Sequence, residues 1–139
     1  MPLFVAQSDI VIVEDPNVPA SEVVELYAAS GVHRATDDLA RIERMIQHSD
    51  IIITVRHAGK LIGLGRAITD HAFCCYMADL AVHRDYQRNG IGKAIVDALK
   101  AKLHDDISIM LLANPEAMDF NPPIGFQKVG NCWIMPRTH

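Results

Sequence analysis

The segment Asp79-Leu80-Ala81-Val82-His83-Arg84-Asp85-Tyr86-Gln87-Arg88-Asn89-Gly90-Ile91-Gly92-Lys93-Ala94 constrains this chain more than any other. An apolar strand ends, a loop with two glycines follows, and a helical stripe begins. Ile91, Ala94, Ile95, Ala98 and Leu99 recur at helical spacing and put one apolar face on that helix. Glycines let a backbone approach a ligand closely, and the first amides of a helix have no internal partners. Together with the positive end of the helix dipole they form an anion site. Arg84, Arg88 and Lys93 add charge around it. A phosphate or pyrophosphate is the expected ligand. A P-loop is excluded, because Lys93 is followed by Ala94 and no earlier glycine has the required spacing. The dinucleotide fingerprint is excluded as well, since Ile95 stands where its third Gly or Ala belongs. The pattern Q/R-x-x-G-x-G/A is met at every fixed position by Gln87-Arg88-Asn89-Gly90-Ile91-Gly92.

The rest of the chain supplies the frame. Asp9–Glu14 alternates and is β-branched, so it reads as a first strand. Ser21 caps a short helix that ends near Gly31, and Thr36-Asp37-Asp38 opens a second with Leu39, Ile42, Met45 and Ile46 on one side. Ile51–Arg56 and Leu61–Thr69 flank Ala58-Gly59-Lys60 as a hairpin, and Phe73–Val82 is a third long strand. Ile107–Ala113 is a short strand. A helix between it and the preceding strand implies a crossover to a parallel neighbour. Asn114-Pro115 starts a helix that Pro122-Pro123 limits to about two turns. Phe126–Val129 and Cys132–Met135 read as a final strand or hairpin. The expected class is α/β (α+β in stricter terms), a mixed and mostly antiparallel sheet with helices on both faces.

Charge and composition exclude several functions. Lys plus Arg is 13 and Asp plus Glu is 17, for a net charge of −4 over 139 residues. A general nucleic-acid binder needs a basic surface, so no nucleic-acid partner is expected. Residues 1–33 contain no Lys or Arg, while the basic cluster falls around the glycine loop, which suits a small anionic ligand. No apolar run approaches the roughly 18 residues of a membrane span, so no membrane partner is expected. A secretory or transit segment needs a basic N-terminus, and three cysteines make no disulfide framework; a cytoplasmic protein is expected. His71, Cys74 and Cys75 lack a fourth ligand, so no metal is expected.

With these motifs in this order, the sequence resembles the GNAT superfamily of acyl-CoA-dependent N-acyltransferases. The resemblance runs from about Ile10 to Met135. It includes Leu61-Ile62-Gly63, Asp79-Leu80-Ala81-Val82 before the glycine loop, and Ala117-x-x-Phe120 followed by Gly125-Phe126. It implies a small, bacterial-type member in which residues 1–139 are one domain. The implied sheet has six to seven strands with a splayed fourth and fifth pair, flanked by about four helices. Acetyl-CoA is the implied co-substrate. Backbone groups of Leu80, Ala81 and Val82 would meet its pantetheine arm. Gln87 opens the motif, and the amides of Arg88, Asn89, Gly90, Ile91, Gly92 and Lys93 would cradle the pyrophosphate. Asn114 and Phe120 match further cofactor positions.

The implied reaction is N-acetylation of a primary amine on a small molecule, by direct attack within a ternary complex. The acyl carbonyl would be polarised by a backbone amide near Leu80. Asn121 stands where relatives commonly carry the Tyr that protonates the leaving thiolate, and an amide is no general acid near neutral pH. Tyr76 is the candidate substitute donor, or else a strand aromatic. Asp79 is the candidate base, or else a carboxylate tying down the loop. Tyr27, His33, Arg34, Arg66 and Asp70 are the candidate acceptor-binding residues. The departure at Asn121 supports an alternative, a non-catalytic acyl-CoA-binding protein. The apolar run Cys132-Trp133-Ile134-Met135 at a sheet edge predicts a homodimer.

Overall fold

The structure, a computed structural model, describes residues 9–112 and 125–138. Its strands are β1 (Ile10–Glu14), β2 (Ile51–His57), β3 (Lys60–Thr69), β4 (Cys74–Val82) and β5 (Ser108–Met110), and its helices α1 (Ala20–Ser30), α2 (Leu39–Gln47) and α3 (Ile91–Lys100). The strands lie in the order β1-β2-β3-β4-β5. The first four are antiparallel, and β4 and β5 are parallel neighbours joined through α3. The β2–β3 turn puts Ala58 at φ +50° and Gly59 at φ +86°, the two left-handed positions that a tight hairpin of this hand requires.

Two layers of helix cover the sheet. Ile91, Ile95, Val96 and Leu99 of α3 pack on Ile53, Val55, Ile62 and Met77. On the opposite face Val23, Leu26 and Tyr27 of α1 and Ile42 and Ile46 of α2 pack on Ile52, Leu61, Leu64 and Ala81. Residues Ile51 to Val55 are therefore all buried, which explains why β2 reads as a continuous apolar run. Close approach of α3 depends on two glycines. A Cβ on Gly65 would lie 2.4 Å from Ile95 Cγ2, and one on Gly63 3.1 Å from Ile95 Cδ1.

The expected counts need correction. Among the described residues there are five strands, not six or seven, and three α-helices, not four. Phe126–Val129 and Cys132–Met135 form no strand, and Trp133 and Met135 are each 95% exposed. Their apolar pattern and the resemblance both pointed to a strand, and local pattern does not supply a pairing edge. The helix expected from Asn114 lies outside the described residues. The helix at Ser21 starts earlier: Pro19 is its N-cap, without a side-chain cap.

One irregularity decides what faces where. Arg66 pairs with Asp79 and Ala67 with Met77, so Ala78 is an extra residue in β4. A bulge of this kind reverses the inward–outward phase of the strand beyond it. Cys75 and Met77 lie on the α3 face before it. After it Ala81 lies on the α1 face, while Leu80 and Val82 pack on the α3 side.

Candidate active site

The glycine loop is wound tightly and left open at its tip. A 3₁₀ turn over Arg84–Tyr86 follows β4, and His83 Nδ1 accepts from the Asp85 amide at 3.1 Å. Tyr86 is buried, with its hydroxyl 2.6 Å from His57 Nδ1 and the rings of His57 and His83 set edge-on to its own. Burial, and then the nearby Lys60 charge, hold the His83 ring below the usual imidazole range. Arg88 takes φ +67° and Gly90 φ +78°, and Gly90 is the N-cap of α3. No side chain caps α3 and no acidic residue stands in its first turn. Among the described residues, a Cβ on Gly90 or Gly92 would meet nothing within 4 Å. Among the described residues, neither a capping side chain nor a first-turn acid stands at the positive end of the helix.

The cations expected there are distributed differently. Arg88 is exposed, Lys93 bonds Asp97 at 2.7 Å, and Arg84 turns away to the end of α1. The Gln87 side chain donates to Val82 O at 2.9 Å, and that of Asn89 to Tyr86 O at 3.2 Å. What the loop offers an anion is chiefly backbone. Beside it, β4 pairs with β5 only from Cys74 to Tyr76. Among the described residues, the β4 edge from Met77 through Leu80 and Val82 has no strand alongside on that side.

Asp79 lies at the centre of a buried cluster. Its side chain is wholly inaccessible. Oδ2 accepts from the Tyr27 hydroxyl and from Arg66 Nε at 2.6 Å; Oδ1 accepts from Arg34 Nε at 2.7 Å and also meets Arg34 Nη2. Arg34 further donates to Ala78 O at 2.7 Å, which fixes the bulge carbonyl, and to His33 O at 2.6 Å. Arg66 Nη1 reaches Ser49 Oγ at 3.3 Å. Burial and then the Asp79 charge push the Tyr27 hydroxyl well above the usual phenol range. Burial works against charge on Arg66, but the adjoining Asp79 carboxylate outweighs it and raises the guanidinium further.

Three of the five expected acceptor residues, Tyr27, Arg34 and Arg66, thus converge on Asp79. His33 is exposed beside them. Asp70 is apart from the cluster, at the β3–β4 turn, where Oδ1 accepts the amides of Ala72, Phe73 and Cys74. Tyr76 is half-buried between Ile68 of β3 and Met110 of β5. Asn114, Phe120 and Asn121 lie outside the described residues. Ser49 and the Ala78 carbonyl entered the site unannounced, since neither belongs to any motif. Among the described residues no His, Cys, Asp or Glu group is arranged to hold a metal ion, and no helix is long and apolar enough to cross a membrane.

A mixed sheet whose parallel pair parts beside a glycine-capped helix start defines a class, the acetyltransferase fold. A probable acetyltransferase from methicillin-resistant Staphylococcus aureus superposes with a TM-score of 0.76 at 20% identity, over 91% of this chain and 99% of that one. The chain belongs to the acetyltransferase (GNAT) family, whose profile matches residues 20–126. GCN5-related N-acetyltransferase 2 of Arabidopsis thaliana, a chloroplastic protein, is 44% identical over 70 residues, 49% of this chain and 27% of that protein. The uncharacterized N-acetyltransferase ycf52 of Pyropia yezoensis is 29% identical over 126 residues, 86% of this chain and 71% of that protein. The match to the Arabidopsis protein thus covers well under two thirds of its length.

Members of this family are typically acetyl-CoA-dependent transferases. Two of the expectations do not follow from these relatives. The bacterial type gains no support, because the two relatives matched by sequence come from a plant and an alga, and the Staphylococcus aureus protein, at 20% identity, shows the fold alone. The cytoplasmic location is corrected: two further relatives, GCN5-related N-acetyltransferase 1 of Arabidopsis and serotonin N-acetyltransferase 2 of rice, are also chloroplastic, which points away from a purely cytoplasmic protein.

Proposed function

We propose that residues 1–139 act as one domain that moves the acetyl group of acetyl-CoA to a primary amine of a small molecule, by direct attack in a ternary complex. The observation that carries this reading is the open start of α3. Left-handed Arg88 and Gly90 bring the leading amides of α3 to a point with no side-chain cap among the described residues and no acidic side chain in the first turn. That is the donor set a pyrophosphate needs. In this reading the amides from Arg88 to Lys93 hold the pyrophosphate, and the edge of β4 at Leu80–Val82, which has no strand alongside among the described residues, holds the pantetheine arm. A backbone amide beside Leu80 polarises the acyl carbonyl.

Asp79 serves this site as an anchor. Donors already occupy both of its oxygens, and no solvent reaches it. It fixes the bulge, and with it the strand edge, through Arg34 and the Ala78 carbonyl. Proton removal from the amine then falls to water or to the acceptor-side surface around His33. Tyr76 is the candidate donor to the departing thiolate. The exposed Trp133, Ile134 and Met135 support a homodimer, which light scattering at micromolar concentration tests.

The decisive experiment gives the protein acetyl-CoA with polyamines, amino acids, aminoglycosides and arylalkylamines, and measures free thiol. Amine-dependent thiol release is expected. The fully engaged Asp79 favours one competing reading, a non-catalytic acyl-CoA-binding protein. Tight CoA binding with no thiol release from any amine would establish that instead. With an acceptor in hand, Tyr76→Phe is expected to lower kcat with KM for acetyl-CoA little changed. Full activity makes Tyr76 structural.

A further inference from the structure

All four carbonyls at the end of α1 find side-chain donors, and three of the four come from the segment that carries the glycine loop. A helix leaves its last four C=O groups without internal partners. The Tyr27 carbonyl accepts locally from Ser30 Oγ at 3.1 Å. The Ala28 carbonyl accepts from Arg84 Nη2 at 3.1 Å, and that of Ala29 from Arg84 Nε at 3.0 Å. The Ser30 carbonyl accepts from Gln87 Nε2 at 3.4 Å. No basic residue of α1 stands in its own last turn, so the Arg84 guanidinium supplies the cation that the negative end of the helix favours.

The chain beyond α1 returns to the same segment. It turns at Gly31, φ +84°, and three residues later Arg34 grips Asp79 and the Ala78 carbonyl. The turn Gly31–Arg34 is therefore held at one end by Ala78 and Asp79 and at the other by Arg84 and Gln87. Arg88 and Gly90, the two left-handed residues that aim the amides, follow directly on Gln87.

We infer that Arg84 is a positioning residue that couples the cofactor loop to the turn Gly31–Arg34, so that filling the anion site orders the end of α1. The inference rests on the reading of the glycine loop as a CoA site. Its basis is geometric. Residues 84–87 must be fixed for the amides after them to converge on an anion; His57 and the Val82 carbonyl hold Tyr86 and Gln87 from the sheet side, and the α1 carbonyls hold Arg84 and Gln87 from the helix side. Coupling is reciprocal, so whatever fixes the loop also fixes those carbonyls. The turn so ordered carries His33 and Arg34 and borders the Asp79 cluster, so the acceptor side is set by occupancy of the cofactor side.

Hydrogen exchange at the amides of Ala28–Arg34, with and without saturating CoA, tests this in wild-type protein, Arg84→Ala and Arg84→Lys. In wild-type protein CoA is expected to slow exchange there by about fivefold to tenfold, the low end of typical coupling. Arg84→Ala is expected to bind CoA more weakly, within about tenfold, and to show none of that protection at saturation. Arg84→Lys keeps the charge and one reach of donor, and restores part of it. Wild-type protein that binds CoA without protecting α1, or Arg84→Ala with undiminished protection, overturns the coupling. If Arg84→Ala fails to fold, Gln87→Ala must still weaken protection at Ser30–Val32, and unchanged protection there overturns it too. Wild-type protein that shows no CoA binding by calorimetry overturns the site reading itself, and the coupling with it.

Discussion

Toward α3 the sheet presents glycines and aliphatic side chains; toward α1 it presents a carboxylate clasped by two arginines and a tyrosine. Both faces are buried, but they position what they carry by different means. The α3 face uses shape. Gly63 and Gly65 let Ile95 sink against the strands, and Ile91 at the helix start ends up in one cluster with Leu80 and Val82 of β4. The α1 face adds directed bonds to its own apolar cluster. Asp79 meets Tyr27 from α1, Arg34 from the turn after it and Arg66 from β3. Apolar packing tolerates small slides, whereas a buried carboxylate with donors on both oxygens accepts few arrangements. The acceptor side is thus held in register by charge, and the cofactor side is seated by packing and left open at its tip.

The largest expected effect breaks the α1 face. Asp79→Asn keeps the shape and removes the charge, leaving Arg66 almost wholly buried without its counter-ion. Removing one partner of a buried pair costs about 3–5 kcal/mol. Arg34, with its side chain 31% exposed, recovers some solvation and keeps the loss from rising further. Urea unfolding measures it, and a loss below about 1 kcal/mol would show that the clasp contributes little.

Next in size is a substitution that separates the two jobs of α3. Gly92 has open space where a Cβ would stand, so Gly92→Glu fits sterically. Its carboxylate then lies at the helix start where the anion should bind. CoA affinity is expected to fall at least about thirtyfold, roughly 2 kcal/mol, with an unchanged melting temperature. Calorimetry decides it, and equal affinity in a folded variant would move the cofactor elsewhere.

The contrast between the faces also explains what could be read in advance. The stripe Ile91, Ile95, Leu99 and the long strands were legible because packing on one face leaves a period in the sequence. The glycine loop was legible because it is contiguous. The Asp79 cluster was not, because its partners lie 52, 45 and 13 residues away, and because the extra residue Ala78 turns Asp79 toward α1. A faint signal did exist: Arg66 and Asp79 are opposite charges in two otherwise apolar strands, and buried charges need partners. Tyr27, Arg34 and Arg66 were grouped at the acceptor side, but nothing local revealed that they meet one another. The run Cys132–Met135 misled for the converse reason, since strand-like residues form a strand only where an edge receives them.

A smaller effect probes the α3 face. Gly65→Ala places a methyl 2.4 Å from Ile95 Cγ2 and 3.0 Å from Met77 Cε, and overpacking of this kind costs about 1–3 kcal/mol. Because the clash is with a side chain, it is relievable. Adding Ile95→Ala to Gly65→Ala should cost less than the sum of the two single changes, by about 0.5 kcal/mol or more. Strict additivity would mean that shape is not what seats α3.

The smallest effect sets Asp79 against a second aspartate that is held with no help from either helix layer. Asp70 is exposed and accepts three amides of its own turn, those of Phe73, Ala72 and Cys74, which pull its carboxyl down to about 2 from an ordinary 3.8. A folded value below the unfolded one stabilises the turn fully above pH of about 4 and loses that contribution as pH falls toward 2. Carboxyl titration by NMR should therefore find Asp70 with a midpoint near 2, and amide exchange at Ala72–Cys74 should quicken below pH of about 4 before the rest of β4 responds. Asp70→Asn retains an accepting oxygen for the turn and removes the pH dependence. The two aspartates then separate cleanly: neutralising Asp79 unlocks the sheet from α1, while neutralising Asp70 loosens only the hairpin that contains it. Global unfolding that follows the Asp70 titration would mean that this turn, and not the Asp79 cluster, holds β3 and β4 in register.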